Sequence, residues 1–254
     1  MLISCQNATD SQSKTIFRFN SPTGITSLDP AFARTQENIR AVNQLFSGLV
    51  QLDSNLHIKP CIAKSWKVSE DAKTYTFILR KGVLFHNDPV FKNIKREVLA
   101  GDFEYSFNRL IDPKTASDGA WIFNGIVDSI RPFNALNDST FQIKLNKPFT
   151  PLLSMLTMSY CYVVPHEAVL HYDDAFGKHP VGTGPFKFAN WAEGIKLNLL
   201  KNENYFESTE VQPIPKVDAV SISFIQSKQT ELLEFTQGKL DVFTGLESSY
   251  KDEI

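Results

Sequence analysis

Residues 63–86, AKSWKVSEDAKTYTFILRKGVLFH, constrain the fold more than any other stretch. Trp66 and Val68 alternate with Lys67 and Ser69, and Tyr75, Phe77 and Leu79 alternate with Thr74, Thr76 and Arg80. Successive side chains of a strand point to opposite faces, so each run reads as a half-buried strand. The polar run Glu70-Asp71-Ala72-Lys73 turns the chain. Lys81-Gly82 turns it again, and Val83 and Phe85 resume the pattern. The expectation is an antiparallel β-meander with one apolar face. Such a stretch is a scaffold, so Arg80 and His86 are read as solvated or structural.

A chain of 254 residues buries a substantial core in one or two domains. A net charge of −2 argues against nucleic-acid binding, which asks for a basic stripe. No apolar run approaches the roughly 18 residues of a membrane span. Three cysteines fit no disulfide framework, and their spacings fit no zinc site. Cys61 and Cys161 lie in apolar surroundings and read as buried free thiols. Leu2-Ile3-Ser4-Cys5 resembles a bacterial lipobox, followed by a polar tether over residues 6–14. The charged and long apolar regions of a signal peptide do not precede Cys5. Two readings therefore stand: the lipidated cysteine of an exported precursor, which is carried forward, or a chance tetrapeptide.

Taken in order, residues 15–20 read as a first strand, and Ser21-Pro22-Thr23-Gly24 as a turn. Residues 34–49 carry a helical period in Ile39, Val42, Leu45, Phe46 and Leu49, and a strand follows at 49–53. Residues 87–97 read as a solvated insertion. A helix follows with Asp102 as N-cap and Asp112-Pro113 as its end. Strands are expected at 140–145 and 160–164, with a short helix at 149–156 between them. His166, Glu167, His171, Asp173 and Asp174 suggest a metal site. However, the two histidines stand five residues apart, on different helical faces, so a solvated surface is expected and no metal. Gly182-Thr183-Gly184 suggests a phosphate loop, but Pro185 follows at once and no Lys-Ser/Thr pair opens a helix. The glycines are read as permitting turns closed to other residues. Strands around Phe188, Trp191, Leu197, Leu199 and Leu200, a strand at 217–224, a helix at 228–237 ended by Gly238, and a strand at 240–243 complete the chain. The last three read as a βαβ unit with a parallel pair.

Several ordered segments resemble one family. They are Ala63-x-Ser65-Trp66 with Tyr75-Thr76-Phe77-x-Leu79-Arg80-Lys81-Gly82-Val83-x-Phe85-His86, Asp102-Phe103-x-Tyr105-Ser106-Phe107-x-Arg109-Leu110-x-Asp112-Pro113, Val181-Gly182-Thr183-Gly184-Pro185-Phe186, and Gly238-Lys239-Leu240-Asp241-Val242. Together they are similar to the extracytoplasmic solute-binding proteins of peptide ABC importers (family 5, which takes oligopeptides, dipeptides and nickel), over residues 17–246.

The resemblance implies an α/β, periplasmic binding protein-like (type II) lobe with an inserted mixed α+β subdomain. Residues 1–14 would be the tether. Residues 15–46 and 166–254 would form a discontinuous, incomplete first lobe, and 47–165 the subdomain. Family members are about twice as long, so the second lobe is expected to be absent here, leaving half a cleft. The implied function is non-enzymatic capture of a small solute, foremost an oligopeptide, by hinge closure. Delivery to an inner-membrane ABC permease would follow, from a periplasmic, lipid-anchored monomer without cofactor. Ser21, Pro22, Thr23, Gly24, Thr26, Thr244, Gly245 and Leu246 would line the first-lobe wall. Trp121 and Phe123 are cleft aromatics or subdomain core. A nickel chelate, an oligosaccharide or a murein peptide stay open as ligands. An adhesin on the same fold stays open too. An enzyme is disfavoured, because no nucleophile elbow, zinc cluster or nucleotide loop is found. Paired carboxylates for glycoside hydrolysis stay open.

Overall fold

The structure, a computed structural model, describes residues 14–245. Its elements are β1 (Ile16–Asn20), α1 (Gln36–Leu45), β2 (Val50–Leu52), β3 (Ile58–Pro60), β4 (Ala63–Val68), β5 (Thr74–Leu79), α2 (Ala100–Ile111), β6 (Phe133–Asn137), β7 (Thr140–Lys144), α3 (Leu152–Met155), α4 (His166–Tyr172), β8 (Phe186–Ala192), β9 (Lys196–Lys201), β10 (Ala219–Ser223) and α5 (Lys228–Thr236). They build three sheets, ordered β1-β10-β9-β8, β2-β3 and β4-β5-β7-β6. The first sheet draws on both ends of the chain. Its β1–β10 pair is parallel, with Phe17 opposite Val220, and its other pairs are antiparallel.

The third sheet contains the meander. Tyr75, Phe77 and Leu79 are buried, as their alternation predicts. β4 is an edge strand, so Val68 stays 42% exposed and Trp66 only half-buried. The expected third strand is not formed. Val83 and Phe85 are buried, but Leu84 makes only an isolated bridge to Glu97. The face of this sheet is closed by α2, which buries Phe103, Phe107 and Leu110. Phe107 is the hub, 5.1 Å from Phe123, 5.4 Å from Phe133 and 5.5 Å from Phe141 between ring centroids. Edge-to-face and tilted pairs at such distances add to the area each ring buries.

Other boundaries moved. α1 begins after Thr35, whose hydroxyl accepts from the Asn38 N–H at 3.2 Å, and it ends at Leu45 rather than Leu49. Leu49 leaves the helix because its carbonyl is taken by the N–H groups of Cys61 and Ala63. Asp102 is not the N-cap of α2. It sits one turn in, and its carboxylate accepts from the Leu99 N–H at 2.8 Å, satisfying a helix-end donor from inside the helix. The helix at 149–156 shrinks to one turn, α3. Residues 160–164 are not a strand: a 3-10 turn, Ser159–Cys161, leads to extended chain whose Val163 N–H donates to the Ser47 carbonyl. Residues 240–243 are not a strand either. They run beside β1, where the Asp241 N–H donates to the Arg18 carbonyl at 2.8 Å. The observed parallel pair is thus β1–β10, not a pair closed by 240–243.

Gly182 and Gly184 are required for a different reason than expected. Neither takes a positive φ. A Cβ on Gly182 would lie 2.0 Å from the Leu45 carbonyl oxygen, and one on Gly184 would lie 2.4 Å from that of Gln44. The crossing lies against the carbonyl end of α1, and only hydrogen fits between. This also disposes of an anion loop, since a helix C-terminus repels negative charge. Gly184→Ala is expected to cost about 3 kcal/mol through overpacking. Gly101→Ala, in α2 with nothing within 4 Å of its added Cβ, should instead be neutral to stabilising by up to about 1 kcal/mol. Urea midpoints of the two variants check this; equal midpoints would remove the steric account.

Candidate functional site

β1 and β10 run in the same direction, so both exits fall on one sheet edge. Asn20, the last residue of β1, clamps the edge twice. Its side-chain amide donates to the Ile225 carbonyl at 2.9 Å, and its side-chain oxygen accepts from the Ile225 N–H at 2.8 Å. The Ser21 N–H donates to the Ser223 carbonyl at 2.8 Å, and the Gly24 N–H to the Ser21 carbonyl at 3.0 Å, with Gly24 at φ +72°. Thr26 is tied to α1 through Asn38, which accepts from the Thr26 N–H and donates to its hydroxyl. Ser21 is buried, Pro22 and Gly24 are half-buried, and Thr23 and Thr26 are exposed.

The chain returns to the same edge at Thr244. Lys228 opens α5 just beyond β10. Its ammonium donates to the Thr244 carbonyl and to the buried Glu231 carboxylate, both at 2.8 Å, and lies 5.3 Å from the Phe243 ring centre. The fold therefore brings residues 21–26 and the exposed Thr244 and Gly245 to one edge across more than two hundred residues of chain. Leu246 and Cys5 lie outside the described residues. What residues 21–26 with Thr244 and Gly245 offer is hydroxyls and backbone groups, and the Lys228 ammonium beside them is already engaged.

Trp121 and Phe123 part company. Phe123 is sealed in the aromatic core, 4.9 Å from Phe133, and presents no surface to a cleft. Trp121, on a 3-10 turn, is 53% exposed. Beside that turn is a group not singled out from the sequence. Arg34 and Asp118 form an exposed ion pair at 3.6 Å. Tyr160 lies so close to Gly119 that an added Cβ would fall 2.4 Å from its ring. Burial first, and Asp118 second, push the Tyr160 hydroxyl up. Tyr160, Met158, Ala33 and Ile39 line a hollow of about 250 Å³. Arg34 and Asp118 are 84 residues apart, and no periodic pattern could have joined them.

Two clusters that look like chemistry are structural. Asp102, His166 and Glu167 offer ligand atoms within 4.8 Å of one another. The cation there is already supplied by Arg96, 2.6 Å from Asp102 and 2.8 Å from Glu167. His86 is buried and bridges the glycine crossing. Its Nδ1 accepts from the Gly182 N–H at 3.3 Å, and its Nε2 donates to the Gly184 carbonyl at 3.1 Å. Those partners require the neutral ring. Burial, aided by Lys187, holds its pKa down to about 4 from 6.5, against the pull of Gly184. Cys61 and Cys161 are free and buried. Burial pushes the Cys61 thiol up to about 12 and the Cys161 thiol higher still, so neither is a ready nucleophile. Arg80 is exposed and donates to the Cys61 carbonyl at 2.7 Å.

Residues 57–254 match the family model described as bacterial extracellular solute-binding proteins, family 5 middle. The chain belongs to this family. It is similar to the oligopeptide-binding protein OppA of Bacillus subtilis, 31% identical across 91% of this chain and 43% of that protein. It is also similar to the structure of the periplasmic binding protein DppA of Helicobacter pylori in complex with the peptide STSA, with a TM-score of 0.82, 31% identity and coverage of 94% of this chain and 49% of that one. A third similarity is to NikZ of Campylobacter jejuni in complex with Ni(L-His), with a TM-score of 0.74, 28% identity and coverage of 90% and 42%. The fold is thus periplasmic binding protein-like, and the chain spans about half the length of the relatives it matches. Among the described residues no helix is long and apolar enough to cross a membrane.

The His86 geometry makes a pH prediction. The unfolded chain takes up a proton on this ring near pH 6.5, whereas the native ring resists until about pH 4. Stability from this group is therefore full above pH 6.5 and falls by about 3 kcal/mol as pH drops to 4. Denaturant midpoints across that window are expected to flatten in His86→Gln relative to the parent; an unchanged slope would remove His86 as the cause.

Proposed function

We propose that this chain is part of the substrate-binding component of an ABC importer. It takes a small solute, foremost an oligopeptide, between two lobes and hands it to an inner-membrane permease. The juxtaposition of residues 21–26 with Thr244 and Gly245 at the carboxyl edge of β1 and β10 carries this reading. Ligands of open α/β sheets bind at such edges. Ser21, Pro22, Thr23, Gly24, Thr26, Thr244 and Gly245 form one stretch of the wall, and Trp121 with Arg34, Asp118 and Tyr160 a second. Hydroxyls and backbone groups suit the repeating amides of an extended peptide, and an exposed indole suits its side chains. The relatives are named as binding proteins, and one is a peptide complex, which supports a non-enzymatic role.

Residues 15–46 and 166–254 belong to the first lobe in this reading, and 47–165 to an inserted subdomain. The closed pairing of β4 to β7 among themselves supports that division. The protein works as a monomer in the periplasm or cell envelope, anchored through a lipid on Cys5. Cys5→Ser in the native precursor is expected to abolish incorporation of labelled fatty acid; equal labelling would remove the anchor. A nickel chelate is the second ligand reading, favoured by the similarity to NikZ.

Calorimetry tests the wall. Residues 1–254 alone, offering one side of a cleft, are expected to bind the peptide STSA with no measurable affinity at micromolar concentration. In the native polypeptide, Trp121→Ala should weaken peptide binding about tenfold. Micromolar binding by 1–254 would overturn the two-lobed mechanism, and an unchanged affinity in Trp121→Ala would remove the second stretch of wall.

A further inference from the structure

A larger groove, about 760 Å³, which shares no lining residue with either stretch of wall, lies between the β1–α1 loop, the end of α2, and α4 with the 3-10 turn that follows it. Its walls are fixed before anything binds. Arg109 of α2 grips Asp29 of the loop with two bonds, 2.6 and 3.1 Å, and both side chains are largely buried. The Leu28 N–H donates to the Gly177 carbonyl at 2.9 Å, and a Cβ on Gly177 would fall 2.5 Å from the Ser27 hydroxyl. Loop, α2 and the turn after α4 are thereby locked together, so an occupant meets a preformed surface.

The lining has two chemistries. Phe32 and Tyr105 are half-buried in the groove, and Leu170 stands 70% exposed on its lip. Around them are the exposed carboxylates of Asp112, Asp173 and Asp174. Positive charge to balance them is short. Arg109 is committed to Asp29, Lys178 is paired with Glu193, and among the described residues Lys114 is the one further cation lining the groove. Three carboxylates against one ammonium leave the rim acidic. Asp173 and Asp174 are the acids that suggested a metal from the sequence. Their setting beside an uncovered leucine and two aromatic rings points to a different use.

We propose that this groove docks a short basic, amphipathic segment of a partner protein. The segment's apolar side chains would lie on Leu170, Phe32 and Tyr105, and its lysines or arginines on Asp112, Asp173 and Asp174. Charge complementarity selects the occupant. An anionic membrane surface is repelled by the rim, and an acidic segment likewise. A second copy is the competitor, because the exposed Lys92, Ile94 and Lys95 offer similar chemistry. The inference does not depend on the solute reading, since groove and wall share no residue.

The test is fluorescence anisotropy with a labelled, end-blocked peptide of alternating lysine and leucine, set against its glutamate–leucine counterpart. The basic probe is expected to bind and the acidic one not. Asp173→Asn with Asp174→Asn should weaken binding about tenfold, and Leu170→Ser about fivefold, while added salt weakens it in the parent. All three residues are exposed, so these variants should keep the parent's thermal midpoint. Failure of the basic probe to bind, equal binding of both probes, or parental affinity in the groove variants would overturn the proposal. Loss of binding in Trp121→Ala alone would move the probe to the solute wall and overturn it as well. Sedimentation showing self-association abolished by Leu170→Ser would assign the groove to a second copy instead.

Discussion

Much of the structure depends on the contact between the Gly182-Thr183-Gly184 crossing and the carbonyl end of α1. Backbone approaches backbone so closely there that a methyl group on either glycine would overlap a carbonyl. The Gly184 N–H takes up the Leu45 carbonyl at 2.9 Å, one of the acceptors a helix leaves unpaired at its end. His86 closes the contact from the far side, with one ring nitrogen on each glycine. The meander end, the helix end and the start of β8 meet at this point. Residues that open the first sheet are thereby held against the sheet built from β4 to β7.

From this junction the two halves of the molecule do different work. The phenylalanine cluster around Phe107 makes α2 and its sheet a closed core, and Phe123 belongs to it. The outer sheet keeps polar loops at the edge where β1 and β10 end. The wall proposed for a solute calls for positioned groups with little to reorganise, and the Asn20 and Asn38 clamps hold the residues 21–26 loop rigid from beneath. The Asp29–Arg109 pair extends the same principle. Buried and bidentate, it fixes the loop after the wall to α2, and removing one partner would strand a charge.

The legible parts were those with local periodicity. Alternation marked β5 and its buried face, and helical spacing marked α1 and α2 to within a few residues. The family segments marked the order of landmarks. Misreadings came where tertiary partners took over backbone groups. Leu49 reads as helical by spacing but gives its carbonyl to residues 61 and 63. Residues 160–164 and 240–243 have strand composition, yet each finds only a brief partner, Ser47 for one and Arg18 for the other. Trp121 and Phe123 look equivalent in sequence, and a 3-10 turn sends one to solvent and one to the core.

The family segments, the apolar face of β5 and the main turns are legible in the amino-acid order, because alternation, helical period and turn chemistry act between near neighbours. Even for the opening meander that order could specify the inward residues of β5, but not that Val68 on the edge strand would stay exposed or that the third strand would dwindle to a single bridge. That Gly182 and Gly184 are needed for space rather than for φ follows from the packing of the crossing on the end of α1. Packing alone sets Arg96 into the Asp102, His166 and Glu167 cluster that resembles a metal site, and brings Arg34 to Asp118. It also joined Ser21 to Thr244 at one edge. Each of these rests on a contact between residues far apart in the chain, and such contacts are set by how whole elements pack.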